Sequence, residues 1–269
     1  MDEHNETLGM SVDVPVVRIR DGAAAEAVQP VAAEVPCTII GNDVEVGTLL
    51  CSPSDLKELA VGFLFTSAFI RGIDDIRDIR VDPVRWTVSC ALSRTPEPEL
   101  MAKRMYTPGC GKGVVYSGLA ETGLRAPIES SLKITAPQIF GISAWLQRCS
   151  ELYRSTGGVH TAALSTAGEP PHVFFDDIGR HNAVDKVIGS HLLARGDFSR
   201  EILISSGRVS SEILHKARRP GIAIVVSRGA PTHQSVLRGR DMGITLVCFA
   251  RSNGCTIYSH PERIEYDTI

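Results

Sequence analysis

The chain has 269 residues, of which 43% are apolar and 22% charged. That length accommodates one large or two smaller domains, and the composition excludes disordered and fibrous classes. With 28 basic against 31 acidic residues the net charge is −3. No global positive field exists to hold a long nucleic acid or an anionic membrane, so neither is expected as a partner and any anion site is local. The N-terminal stretch MDEHNETLGM is acidic and polar where a secretory signal is basic and then apolar. The longest apolar run, Leu59 to Ile70, is interrupted by Gly62, Thr66 and Ser67 and is too short for a bilayer. A cytoplasmic location is therefore expected. Seven cysteines, none at the two-residue spacing of a zinc knuckle or redox pair, predict reduced thiols.

Residues 1–34 read as an N-terminal tail and a first strand, at Val14 to Arg20. Residues 35–130 read as a smaller α+β portion. Its β-rich runs between Val35 and Cys51 flank Gly41-Asn42-Asp43, a hairpin signal. Ser52-Pro53-Ser54-Asp55 offers a serine N-cap with proline at the first helical position, which predicts a helix from about Pro53 to Ile70. Arg85 to Leu92 alternates Trp86, Val88, Cys90 and Leu92 with Arg85, Thr87, Ser89 and Ala91, the period of a half-buried strand. Residues 131–269 read as an α/β domain. It opens with Thr135-Ala136-Pro137-Gln138, a capping box for a helix running to about Tyr153. Strands at His172 to Phe175, Glu201 to Ser205, Ile222 to Ser227 and Ile244 to Phe249 then alternate with helices at Arg180 to Ala194, Ser210 to Arg218 and Thr232 to Met242. Such alternation predicts a parallel or mixed sheet covered on both faces.

In open α/β sheets ligands bind beyond the carboxyl ends of the strands. Four predicted ends share a composition: Asp176-Asp177-Ile178-Gly179-Arg180-His181-Asn182, Ser205-Ser206-Gly207-Arg208, Ser227-Arg228-Gly229-Ala230-Pro231 and Phe249-Ala250-Arg251-Ser252-Asn253-Gly254. Glycine lets backbone N–H groups approach an anion, and arginine offers a planar fork that matches phosphate oxygens. One such turn is ordinary. Four on one sheet edge predict a phosphate-rich or otherwise anionic ligand, with Arg180, Arg208, Arg228 and Arg251 converging on one crevice. His181, Asn182, Asp185 and Lys186 share a helix face and read either as a local hydrogen-bond network or as ligand contacts. His160, after Gly157-Gly158, reads either as structural or as part of the site.

Cys37, Cys51, Cys90, Cys149 and Cys248 fall in apolar strands or helices and read as small buried hydrophobes, while Cys255 follows the last arginine turn. Cys110 differs. Thr107-Pro108-Gly109-Cys110-Gly111-Lys112-Gly113 sets it among glycines beside a cation, where backbone donors and an ammonium lower a thiol's pKa. It reads either as a reactive thiol or as a cysteine tolerated in a turn.

Taken together, the run from Ser52 to Leu64, Thr107 to Gly113, Thr156 to His160, Asp177 to Lys186, Ser206 to Ser210 and Ala230 through Arg251 resembles the FdhD family, the formate dehydrogenase accessory sulfurtransferases. The run around Gly179-Arg180-His181-Asn182 is the most specific part. The resemblance implies a sulfur carrier that takes persulfide sulfur from a cysteine desulfurase. It would pass that sulfur to a molybdenum or tungsten bis-guanine-dinucleotide cofactor, a bound substrate for which GDP is an analogue, on behalf of apo formate dehydrogenase. It places the persulfide on Cys110 and a cofactor-binding segment on Phe249, Ala250, Arg251, Ser252, Asn253 and Gly254. Arg180, His181, Gly207, Arg208 and Arg228 are the other expected cofactor contacts. It also implies a homodimer and a cytidine deaminase-like mixed sheet sandwiched by helices. One departure stands out: many members carry Cys-x-x-Cys in the loop, and here the second position is Gly113. A non-catalytic cofactor carrier or chaperone for the apo-dehydrogenase is therefore the alternative. A zinc nucleobase deaminase is excluded, because the chain lacks a Pro-Cys-x-x-Cys metal pair and no zinc is expected.

Overall fold

The computed structural model describes residues 8–95, 104–106, 114–116 and 126–267. The first element is a hairpin of β1 (Ser11–Arg20) and β2 (Ala23–Ala32), paired antiparallel along their whole length. The single strand expected before residue 34 thus has a partner in the alanine-rich stretch. A second hairpin joins β3 (Val35–Gly41) to β4 (Val44–Cys51). Its two turn residues, Asn42 and Asp43, have φ of 48° and 64°, the left-handed pair that matches strand twist in a tight hairpin. With β5 (Ile76–Asp82) and β6 (Thr87–Leu92) these strands form a sheet of order β4-β3-β6-β5, in which β3 and β6 are parallel.

Helix α1 (Leu56–Thr66) starts later and stops earlier than the sequence suggests. Asp55, not Ser52, stands at the N-cap, in a left-handed conformation and without a side-chain cap bond. Ser52 is instead buried in a tertiary contact: its N–H donates to Asp177 Oδ2 (3.2 Å) and its Oγ accepts from the N–H of Ile178 (3.2 Å). The helix ends where Ala68 turns to φ 63°. Strands β7 (Arg104–Tyr106) and β8 (Val114–Tyr116) pair antiparallel, and residues 107–113, with Cys110 among them, lie outside the described residues.

After β9 (Ile134–Thr135), helix α2 (Ala136–Cys149) opens on the expected capping box between Thr135 and Gln138. The predicted long helix is broken at Ser150, which caps a separate short helix α3 (Glu151–Thr156) and bonds to Asp176 (2.7 Å). There follow β10 (His160–Thr166), β11 (Val173–Asp177), α4 (Arg180–Leu193), β12 (Glu201–Ser205), α5 (Ser211–Arg218), β13 (Ile224–Ser227), α6 (His233–Met242), β14 (Thr245–Cys248), β15 (Thr256–Ser259) and β16 (Ile264–Glu265). Six of the strands form one mixed sheet, ordered β11-β10-β12-β13-β14-β15. Strands β12, β13 and β14 are parallel neighbours, whereas β10 runs against both β11 and β12.

Helices cover both faces of this sheet, as the strand pleat requires. Ala162, Leu164, Leu203, Val225 and Leu246 face a core shared with α4, α5, α1 and the four-stranded sheet. Their neighbours Ala163, Ile202, Ile204, Ile224, Val226 and Val247 face Ile139, Ile142 and Leu146 of α2. The expected α/β architecture with a mixed sheet between helices is therefore present. Among the described residues no helix is long and apolar enough to cross a membrane. Helices α1 and α4 cross at glycines: a Cβ on Gly62 would lie 1.9 Å from the Asp185 carbonyl oxygen, and one on Gly189 would lie 1.9 Å from that of Glu58.

Candidate anion-binding edge

Because β10 is antiparallel to both neighbours, β11 runs in the same direction as β12, β13 and β14. Their four carboxyl ends open on one edge, and the first residue of β10, His160, sits opposite Asp177 among them. The turn after β11 is organised by the Asp177 carboxylate. Its Oδ1 accepts from the N–H of Gly179 (2.8 Å) and from Asn182 Nδ2 (2.9 Å), while its Oδ2 meets Lys186 Nζ at 2.8 Å. These bonds fix Arg180 and His181 in the first turn of α4, at the sheet edge.

The next turns are laced to one another beyond the sheet. Ser205 Oγ accepts from the N–H of Gly207 (3.2 Å). Ser227 Oγ donates to the Gly207 carbonyl (2.6 Å) and accepts from the N–H of Gly229 (2.9 Å). Arg228 N–H bonds the Ser205 carbonyl, Phe249 N–H that of Gly229, and Ala250 N–H that of Ser227. Two glycines are obligatory here. A Cβ on Gly229 would lie 2.6 Å from backbone atoms of Gly207, and one on Gly207 would lie 2.9 Å from Arg180 Cβ. The serines two residues before both glycines do as much positioning as the arginines, and sequence reading missed them; the repeated Ser-x-Gly was the available signal.

Arg180 and Arg208 share their end of the edge with two histidines. His160 Nδ1 lies 3.4 Å from Ser206 Oγ, and burial followed by the Arg180 charge lowers its pKa. His181 Nε2 lies 3.3 Å from both Ser210 Oγ and Glu212 Oε2. Burial first, then the charges of Lys216 and Arg180, pushes His181 down to about 2. A neutral imidazole needs no ion pair to sit beside the Glu212 carboxylate. Both histidines therefore present hydrogen-bonding edges without competing with the arginines for an anion.

At the other end, Arg228 Nη1 donates to the Ser143 carbonyl of α2 (3.2 Å). Arg251 Nη1 donates to the carbonyls of Arg228 (2.7 Å) and Ala250 (2.8 Å), and Arg251 N–H closes a turn onto Gly254. Arg208 is exposed, whereas Arg228 is half-buried. The four arginines thus reach one edge, but Arg228 turns toward a helix instead of the crevice. Ser252 and Asn253 are exposed on the closing turn. Phe249 is 45% exposed and holds φ at 51°, a conformation that a bulky residue rarely adopts and that the two neighbouring backbone bonds impose. The four-residue set His181, Asn182, Asp185 and Lys186 does not bond internally. Asn182 and Lys186 reach Asp177, Asp185 meets Lys216 Nζ at 2.7 Å, and His181 faces the edge. Cys110 lies outside the described residues, so its place relative to this edge is not part of the geometry.

These features define a mixed-sheet α/β protein with interlocked serine-glycine turns and two arginines beside histidines at one strand edge. A family model, the FdhD/NarQ family, matches residues 32–265. Sulfur carrier protein FdhD of Staphylococcus aureus strain MRSA252 is 36% identical over 257 residues, covering 95% of this chain and 97% of that one, and its counterpart in strain Newman matches equally. A crystal structure described as a formate dehydrogenase accessory protein from Desulfotalea psychrophila has a TM-score of 0.78 and 29% identity, covering 96% of this chain and all of that one. The chain belongs to the FdhD/NarQ family.

Proposed function

We propose that this chain is a sulfur carrier that serves formate dehydrogenase, acting in the cytoplasm as a homodimer and loading sulfur onto a guanine-dinucleotide form of the molybdenum or tungsten cofactor. The observation that carries the reading is the row of interlocked turns ending in Phe249 to Gly254. A substrate with two pyrophosphates requires several adjacent anion positions, and Arg180 and Arg208 supply guanidinium forks beside them. Neutral His160 and His181 supply further hydrogen bonds, and the exposed Phe249 ring offers an apolar face to a heterocycle. Arg228 is assigned the role of bracing the turn against α2.

Sulfur arrives by exchange. The Cys110 thiolate attacks the outer sulfur of a desulfurase persulfide, the new S–S bond forms on Cys110, and the desulfurase cysteine leaves as a thiolate. Cys90, Cys149 and Cys248 are poorly suited to this step. Burial pushes Cys90 and Cys149 up to about 11 and Cys248 up to about 12, so their thiols stay protonated at neutral pH. Glycine at position 113, where many relatives carry a second cysteine, favours the second reading, a cofactor carrier without its own persulfide.

One measurement separates the two readings. Intact mass after incubation with a cysteine desulfurase and cysteine is expected to rise by about 32 Da, one sulfur on a reactive thiolate. Cys110→Ala should abolish the gain, while Cys90→Ala and Cys149→Ala keep it. Equal labelling of Cys110→Ala would remove Cys110 from the pathway, and no labelling of the wild type would leave the carrier without a persulfide.

A further inference from the structure

Cys37 of β3 and Cys51 of β4 take no part in the sulfur transfer described above, and both are fully buried. The strand register sets Val35 opposite Cys51 and Cys37 opposite Leu49, so the two thiols lie diagonally on one face of the antiparallel pair. They are in contact, the Cys51 S–H donating to the Cys37 sulfur. That bond, helped by the Lys186 charge, holds the Cys37 thiol below its usual range in spite of burial. The same bond, together with burial, raises Cys51. One sulfur of the pair therefore ionises and its neighbour stays protonated beside it, the arrangement that stepwise oxidation to a disulfide requires.

Cys51 also stands at a junction. Its neighbours on both sides are tied to the turn after β11: Asn182 Nδ2 donates to the Leu50 carbonyl (2.8 Å), Ser52 N–H to Asp177 Oδ2 (3.2 Å) and Ile178 N–H to Ser52 Oγ (3.2 Å). Asp177 and Asn182 are the groups that fix Gly179 and the first turn of α4, so the backbone around Cys51 is part of the mounting of the candidate edge. A disulfide holds its sulfurs about 2 Å apart, well inside the separation of two hydrogen-bonded thiols. Closing that gap draws Cys51 toward β3, and bonds already at 3.2 Å have little slack before they are lost.

We propose that Cys37 and Cys51 form a redox-active dithiol, that a peroxide converts it to a disulfide, and that the disulfide loosens the Asp177 turn and weakens anion binding at the edge. The last part rests on the reading of the strand ends as an anion site. The Cys37 thiolate attacks one oxygen of hydrogen peroxide, the O–O bond breaks, and the hydroxide takes up the proton that Cys37 released and leaves as water. Cys51 then attacks the sulfur of the Cys37 sulfenic acid, the S–S bond forms, and the sulfenic hydroxyl leaves with the Cys51 proton as a second water. The two thiols lose two electrons and the peroxide gains them. β4 is the outermost strand of its sheet and Cys51 its last residue, so local opening of that strand end admits a molecule as small as peroxide.

The test treats the full chain with hydrogen peroxide and follows three readouts. Trypsin cuts after Arg20 and Lys57 and nowhere between, so Cys37 and Cys51 are the two cysteines of one peptide. Oxidation is expected to lower the mass of that peptide by about 2 Da, two hydrogens, and dithiothreitol to restore it. Amide hydrogen exchange at Ile178 and Gly179 should quicken in the oxidised chain, and GDP should bind about 10-fold more weakly by calorimetry, a common size for coupling between two sites. Cys37→Ala and Cys51→Ala should show none of these changes. A peptide that keeps both thiols under peroxide overturns the dithiol. A disulfide that leaves the two amides as protected as before, or leaves GDP affinity unchanged, overturns its control of the edge. Loss of GDP affinity that persists in Cys37→Ala assigns the effect to another thiol and overturns that control as well. Failure of the reduced wild type to bind GDP overturns the anion-site reading instead, and the exchange of Ile178 and Gly179 then decides whether the disulfide acts on the turn.

Discussion

Lys186 Nζ lies 2.8 Å from Asp177 Oδ2 with neither side chain exposed to solvent. The same carboxylate holds the Gly179 N–H, the Asn182 amide and the N–H of Ser52, so one buried pair ties the anion-edge turn to the β4–α1 junction. Removing one member of a buried pair strands the other charge in a low-dielectric interior. Lys186→Met is therefore expected to lower stability by about 3–5 kcal/mol in urea unfolding, since breaking buried pairs typically costs that much. A urea midpoint equal to wild type would show that the pair is dispensable.

His181 makes stability depend on pH with a definite sign. Its folded-state pKa, about 2, is far below the ordinary 6.5, so unfolding takes up a proton below about 6.5. The contribution is complete above that pH and is lost as pH falls toward the folded value, with a slope of up to about 1.4 kcal/mol per pH unit. The steeper fall between about pH 6.5 and 5, before most carboxylates titrate, should flatten in His181→Gln. Parallel wild-type and variant profiles across that window would refute a buried neutral imidazole.

The α1–α4 crossing predicts opposite outcomes for the same substitution. Gly62→Ala and Gly189→Ala each drive a methyl into the partner helix backbone and should destabilise by at least about 1–3 kcal/mol, the usual cost of overpacking. Gly141, inside α2, has open space where a Cβ would go, and Gly141→Ala should stabilise by about 0.5–1 kcal/mol through backbone entropy. Thermal or urea melts of the three variants decide this. Tolerance of alanine at both crossing positions would mean that the helices lie farther apart.

The four edge arginines divide by role. Arg208→Ala should weaken GDP by about 10- to 100-fold, the loss of one or two charge-assisted bonds. Arg228→Ala should instead lower stability by about 1.5–3 kcal/mol through its contact with the Ser143 carbonyl, and leave GDP affinity near that of wild type. Titration alongside unfolding distinguishes these, and a GDP defect in Arg228→Ala with unchanged stability would return that side chain to the crevice.

Much of the second half is legible because its signals are local. Strands β12, β13 and β14 are short runs rich in Ile, Leu and Val and buried on both faces, and α2 and α6 begin at recognisable caps, Thr135 and Thr232. The Asn42-Asp43 turn is legible for the same reason, since left-handed φ at two successive residues favours those side chains. The resemblance to the FdhD family follows from such short runs as well.

Other features depended on partners far along the chain. Strand β10, His160 to Thr166, carries no alternation because it lies inside the sheet with both faces covered, and its two alanines dilute the β preference of its threonines. Yet its antiparallel insertion decides that β11 opens on the same edge as β12 to β14. Strand β2 exists because β1 pairs with it, against the helical leaning of its alanines. Ser52 reads as a helix cap until Asp177, 125 residues on, takes its N–H. Arg228 reads as an anion ligand until α2 places a carbonyl within reach. Periodicity, capping and turn chemistry act within a few residues and are written in the sequence. The choice of hydrogen-bond partner for a buried polar group is decided by which elements the closed core brings within about 3 Å, and only the tertiary structure sets that.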